Sequence, residues 1–153
     1  MHEIEFIETF LRTNQTYVVE KFRNKESLTV ANKNGANDLL TEVDLTLQKR
    51  FVDQATLEFP HIHVVGEESG LDVIPEDASA ETWVIDPIDG TYNFVRGLNP
   101  AFGISIAYVR DGLAQAAGVF MPMNNFMFLA EAGSGSFCNG NRLRVSSVQH
   151  IEQ

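Results

Sequence analysis

A single cysteine, Cys138, in 153 residues leaves no intrachain partner for a disulfide and excludes a metal site built from clustered thiolates. Basic residues are also scarce. Eleven Lys and Arg stand against 21 Asp and Glu, for a formal charge of −10 and a pI near 4.7. That balance repels a phosphate backbone, so no nucleic-acid polymer is expected as a partner. No stretch approaches 18 uninterrupted apolar residues, and Met1-His2-Glu3-Ile4-Glu5 has acids where a signal peptide carries its basic region. A cytoplasmic protein without a membrane partner is the expectation. There are no internal repeats.

What is present suffices for one core. Hydrophobic residues make up 44% and charged residues 21%, the proportions of an ordinary folded domain. Most of the excess acid reads as solvated surface serving solubility. Clustered carboxylates can also hold divalent cations, so the charge balance leaves a phosphorylated substrate open.

Apolar residues recur every three or four positions from Ile4 to Phe22 and predict a helix with one buried face. Leu28 to Val30 reads as a short strand and 32–38 as a loop. A second helix is predicted from about Thr41–Asp44 to Phe59, with Val43, Leu47, Phe51, Ala55 and Leu57 or Glu58 marking its turns and Pro60 ending it. Ile62–Val65 and Trp83–Ile85 read as strands. So do Gly103–Val109 and Ala114–Phe120, joined by the turn signal Arg110-Asp111-Gly112. Phe126–Glu131 and a last hairpin near Asn139-Gly140 follow. Two helices and then a run of strands predict an α+β fold with the helices packed on a mostly antiparallel sheet.

Three segments hold residues suited to chemistry. In Asp86-Pro87-Ile88-Asp89-Gly90-Thr91, which follows a strand, the two aspartates stand three apart in a stiff turn. With the Ile88 carbonyl between them they offer hard oxygens to a cation such as Mg²⁺. Gly90 permits close backbone approach, and Thr91 reads as the N-cap of a short helix to Arg96, whose first N–H groups suit phosphate. A capped turn without a ligand explains the same residues. Gly66-Glu67-Glu68-Ser69 also follows a strand; one glutamate should point inward and one outward, and patterning does not choose between them. In Asn37-Asp38-Leu39-Leu40-Thr41-Glu42-Val43-Asp44, Thr41 or Asp44 reads first as a helix cap, and Lys33 as surface charge.

These three segments, in this order, resemble the inositol monophosphatase family of the Mg²⁺-dependent, Li⁺-sensitive phosphatases. The most specific is Trp83-Val84-Ile85-Asp86-Pro87-Ile88-Asp89-Gly90-Thr91-Tyr92-Asn93-Phe94-Val95. The resemblance implies the first half of a layered αβαβα sugar-phosphatase fold, with 1–153 as a single N-terminal metal- and phosphate-binding domain. It implies a cofactor of two or more Mg²⁺ ions held by Glu67, Asp86, the Ile88 carbonyl and Asp89. Glu67, Asp44 and Thr91 would activate and orient water, while Gly90 and Thr91 would bind phosphate. Lys33 is similar to a lysine the family places near the metals. The implied reaction is hydrolysis of a small phosphomonoester, inositol monophosphate or a related sugar phosphate, by metal-activated water without a phosphoenzyme. Fructose-1,6-bisphosphate and 3′-phosphoadenosine nucleotides are the alternative substrates, and a non-catalytic metal-binding remnant the alternative role.

The family's second half carries a Trp-Asp motif whose aspartate completes the second metal site, and nothing after Val145 resembles it. A truncated chain of impaired activity is the expectation. Ile104, Ile106, Val119, Phe126 and Phe128 are then candidates for an exposed sheet face and a homodimer, unless they face the helices. Arg96 is a candidate for steering substrate. His61 and His63 are expected in solvent, and Met121, Met123 and Met127 in packing.

Overall fold

Residues 1–32, 39–68, 70–71, 73–77, 79–97 and 100–148 are described by the computed structural model. The predicted helices form as α1 (Glu3–Arg23) and α2 (Glu42–Glu58). Phe6, Ile7, Phe10, Leu11, Val18 and Phe22 make the buried stripe of α1. Val43, Leu47, Phe51 and Ala55 make that of α2, whereas Leu57, the alternative last contact, is 80% exposed. Asn14 is buried with both ends of its amide satisfied. Its Nδ2 donates to the Phe10 carbonyl at 2.9 Å, and its Oδ1 accepts from Arg50 Nη1 at 2.8 Å, which ties α1 to α2.

Between the helices, β1 (Val30–Asn32) pairs with β2 (Leu39–Thr41) in a small antiparallel ladder. The strand predicted at Leu28–Val30 thus lies two residues further on. Of the loop predicted at 32–38, Asn32 is instead the last residue of β1, and 33–38, with Lys33, lie outside the described residues.

The main sheet has seven strands in the order β3 (His63–Gly66), β4 (Thr82–Asp89), β5 (Gly103–Arg110), β6 (Leu113–Met121), β7 (Phe126–Glu131), β8 (Gly135–Cys138) and β9 (Asn141–Arg142). Only β3 and β4 run parallel. Asp111 and Gly112 turn the chain from β5 to β6 with φ of 52° and 70°, the paired positive values of a two-residue hairpin that matches strand twist. Among the described residues no helix is long and apolar enough to cross a membrane.

Cross-strand partners Trp83 and Tyr108, Ile85 and Ile106, and Phe120 and Met127 share the face covered by the helices. Trp83 sits among the rings of Phe6, Phe51 and Phe59 with centroids 5.3, 5.9 and 5.3 Å away. Ile104 and Ile106 belong to this core and are 0% and 2% exposed, which corrects their place on the expected open face. The reason is phase. Ile104 pairs with Phe120, whereas Val119 and its partner Phe128 point the other way. Val119 and Phe126 are 39% and 45% exposed, as expected of that face.

Candidate functional site

Parallel pairing sets the first contact of the site. Gly66 stands beside Ile85 in the β3–β4 ladder, so the next residue of each strand, Glu67 and Asp86, arrives at the same end of the sheet. Glu67 N–H donates to the Ile85 carbonyl at 3.1 Å. The two glutamates separate as expected, one out and one in: Glu67 is exposed, and Glu68 is 1% exposed. Gln48 of α2 secures that arrangement, accepting from Glu68 N–H at 3.0 Å and donating to the Glu68 carbonyl at 3.3 Å.

Contrary to expectation, the chain does not leave the sheet at Asp86. β4 continues to Asp89, and its register with β5 shifts between Asp86, opposite Ser105, and Asp89, opposite Gly103. Pro87, which has no N–H for a ladder, fits such an irregularity. Ile88 is fully buried and anchors it.

The cap of α3 (Thr91–Arg96) also differs from expectation. Gly90 is the N-cap, with φ of 90°, and Thr91 is already helical. A left-handed residue is needed between the strand and the helix, and a Cβ at position 90 would approach the Ala101 carbonyl oxygen to 3.0 Å. Thr91 instead donates its hydroxyl to the Ile88 carbonyl at 2.8 Å, with Asp44 Oδ1 at 3.3 Å as the weaker alternative acceptor.

Asp44 serves two elements at once. Its Oδ2 accepts from Thr41 N–H at 2.9 Å and from the Thr41 hydroxyl, which in turn accepts from Val43 N–H at 3.1 Å. That is a capping box on α2. The other oxygen, Oδ1, faces Thr91 across 47 residues of chain. Helix cap and site residue, left as alternatives by the sequence, are both true of Asp44.

A cavity of about 260 Å³ is lined by Leu39, Glu67, Asp86, Ile88, Asp89, Gly90, Thr91 and Tyr92. Every metal, phosphate and catalytic candidate among the described residues except Asp44 is in that lining, and Asp44 reaches it through Thr91. Asp86 Oδ1 is buried and has no hydrogen-bond partner. Burial, then the charge and hydrogen bond of Glu67, then Asp89 and Asp44, push the Asp86 carboxyl up from 3.8 to about 7. An orphaned buried oxygen among mutually repelling acids is a donor set that suits a hard divalent cation in kind. Among the described residues no three His, Cys, Asp or Glu side chains are yet drawn together as a closed cage.

His61 and His63 are exposed, as expected of residues outside the site. Arg96 lies on the surface with its guanidinium 5.3 Å from the Tyr92 ring. The sequence gives no sign of Leu39 and Tyr92 as lining residues, nor of Gln48, whose position reads as an ordinary helical turn. The one available signal for Gln48 was Gly66, a strand-end residue with no turn to make.

Residues 4–153 match the inositol monophosphatase family model. A curated fructose-1,6-bisphosphatase/inositol-1-monophosphatase of Thermotoga maritima is 41% identical over 124 residues, 81% of this chain and 46% of that protein. The Nus factor SuhB of Escherichia coli is 38% identical over 123 residues, 80% of this chain and 45% of that protein. A solved IMPase/NADP phosphatase complexed with Mg²⁺ and phosphate superposes with a TM-score of 0.79 at 28% identity, covering 90% of this chain and 51% of that one. The chain thus spans about half the length of the curated relatives it matches.

Proposed function

Because the chain belongs to the inositol monophosphatase family, we propose that it carries the metal- and phosphate-binding corner of a Mg²⁺-dependent hydrolase of small phosphomonoesters, inositol monophosphate or a related sugar phosphate. The observation that carries this reading is the buried, unpartnered oxygen of Asp86 beside Glu67, in a cavity that also takes in Asp89, Gly90 and Thr91.

Glu67, Asp86, Asp89 and the Ile88 carbonyl would hold Mg²⁺. Bound there, it would acidify water and neutralise charge on the phosphoryl oxygens and leaving group. The chain's own residues do the rest. The first turn of α3 presents backbone N–H groups of the kind that helices leave without internal partners, and these bind phosphate. Thr91 orients the attacking water by accepting a hydrogen bond from it on the hydroxyl oxygen while Asp44 holds the hydroxyl proton. Glu67, exposed at the cavity, stands as the base. Phosphoryl transfer is driven mainly by such positioning and charge stabilisation. Lys33, whose place in the structure is not described, is proposed on sequence resemblance alone.

Calorimetric Mg²⁺ titration tests the site directly. Asp86→Asn and Asp89→Asn are each expected to weaken Mg²⁺ binding at least about tenfold. Unchanged affinity in both variants would refute the metal site. Phosphate release from inositol monophosphate, fructose 1,6-bisphosphate and a 3′-phosphoadenosine nucleotide then ranks the substrates. A second reading, a non-catalytic interaction role, is favoured by the relative named as a Nus factor. Mg²⁺ binding without turnover of any of the three would support it.

A further inference from the structure

Resting on the phosphatase reading, we infer that Gln48 is a positioning residue that holds Glu67 at the carboxylate cluster by clamping the backbone of the next residue. Gln48 lies one helical turn after Asp44, so a single helix supplies Asp44 to one side of the site and the clamp to the other. Gln48 is 6% exposed and its carboxamide is bonded at both ends, taking the Glu68 N–H at 3.0 Å and giving its own N–H to the Glu68 carbonyl at 3.3 Å. Matching the N–H and the carbonyl of one residue needs a neutral amide; a carboxylate of the same length can only accept.

Gly66 supplies independent support. A Cβ there would overlap Gln48 Oε1 and come within 2.7 Å of its Cδ and 3.3 Å of its Cγ. With Gln48 in its clamping position, its side chain fills the space a methyl group at position 66 would occupy. The strand end is held on both sides of Glu67. Gly66 N–H donates to the Leu71 carbonyl at 2.9 Å, Glu67 N–H donates to the Ile85 carbonyl, and Glu68 is clamped at both backbone groups. With Glu68 fixed at both backbone groups, Glu67 is held where it lines the same cavity as Asp86. Release of the clamp frees this residue pair to rotate, and displacement of a reacting group by about 1 Å costs on the order of 10²-fold in rate.

The test is Gln48→Met, which keeps the buried volume and removes both hydrogen bonds. The Mg²⁺ dissociation constant is expected to rise about 10- to 100-fold, while Arg50→Met, on the same helix but bonded to Asn14, leaves it unchanged. Gly66→Ala is expected to weaken Mg²⁺ binding in the native background but to add nothing to Gln48→Ala, since the atoms it strikes are gone. Mg²⁺ binding by Gln48→Met equal to that of the native chain, or a loss matched by Arg50→Met, overturns the inference. If the native chain binds no Mg²⁺, the phosphatase reading fails, and hydrogen exchange decides the clamp separately. Faster exchange of the Glu68 amide in Gln48→Met, with Ile104 unchanged, supports it; unchanged exchange at Glu68 overturns it.

Discussion

Asp86 keeps one oxygen buried and unpartnered with Glu67 alongside, an arrangement that disfavours the charged carboxylate. Burial removes water from it, and the neighbouring acids repel it. Its folded pKa of about 7 therefore lies above the ordinary 3.8. Between those values the metal-free folded chain holds a proton that the unfolded chain has released, so stability falls as pH rises. The contribution is complete below about pH 3.8 and gone above about 7. The metal-free chain is thus expected to melt at a lower temperature at pH 8 than at pH 5.5, and Asp86→Asn should flatten that difference. Circular-dichroism melts in chelator check it; an equal pH difference in the variant would remove Asp86 as the cause. At this scale the sequence names the acids but cannot choose Glu67 over Glu68. Patterning asks only that they diverge, and the fold tells them apart: Glu68 is buried with its backbone held by Gln48 of α2, and Glu67 lines the cavity.

The elements were more legible than the joints between them. Apolar spacing locates α1 and α2 almost to the residue, and Asp111-Gly112 locates the hairpin because few residues accept two consecutive positive φ values. The strand-to-helix joint was misread for a local reason. Threonine is a favoured cap by residue type, but the chain's change of direction required the left-handed conformation that Gly90 provides. The start of α2 permits a prediction at the same scale. Asp44→Ala strands the Thr41 N–H in a fully buried position and removes the capping box, so it should cost about 1–3 kcal/mol of stability. Asp44→Asn keeps a carbonyl oxygen for that N–H and should retain most of the stability while losing the negative charge that the proposed water-orienting role requires. Urea unfolding separates the two variants. Equal destabilisation by both would mean that the charge, rather than the cap, supports the helix.

Across the whole molecule, two opposing surface properties govern whether chains associate. The sheet face opposite the helices carries Val84, Val119 and Phe126, each at least 39% exposed, with Phe128 half-buried among them. Exposed apolar side chains on one sheet face favour association. A formal charge of −10 opposes it. Repulsion between the chains is screened over about 8 Å at 0.15 M salt and about 3 Å at 1 M, whereas apolar contact is not weakened by screening. Self-association should therefore strengthen as salt rises, the reverse of an interface held by ion pairs. Light scattering coupled to gel filtration is expected to read near the 17.1 kDa of one chain at low salt and to move toward twice that mass at 1 M. Val119→Asp combined with Phe126→Asp should hold the lower mass at every salt concentration without loss of fold, because neither side chain enters the helix-side core. A native chain that stays monomeric across the series, or a double variant that associates as strongly, would show that this face does not drive association.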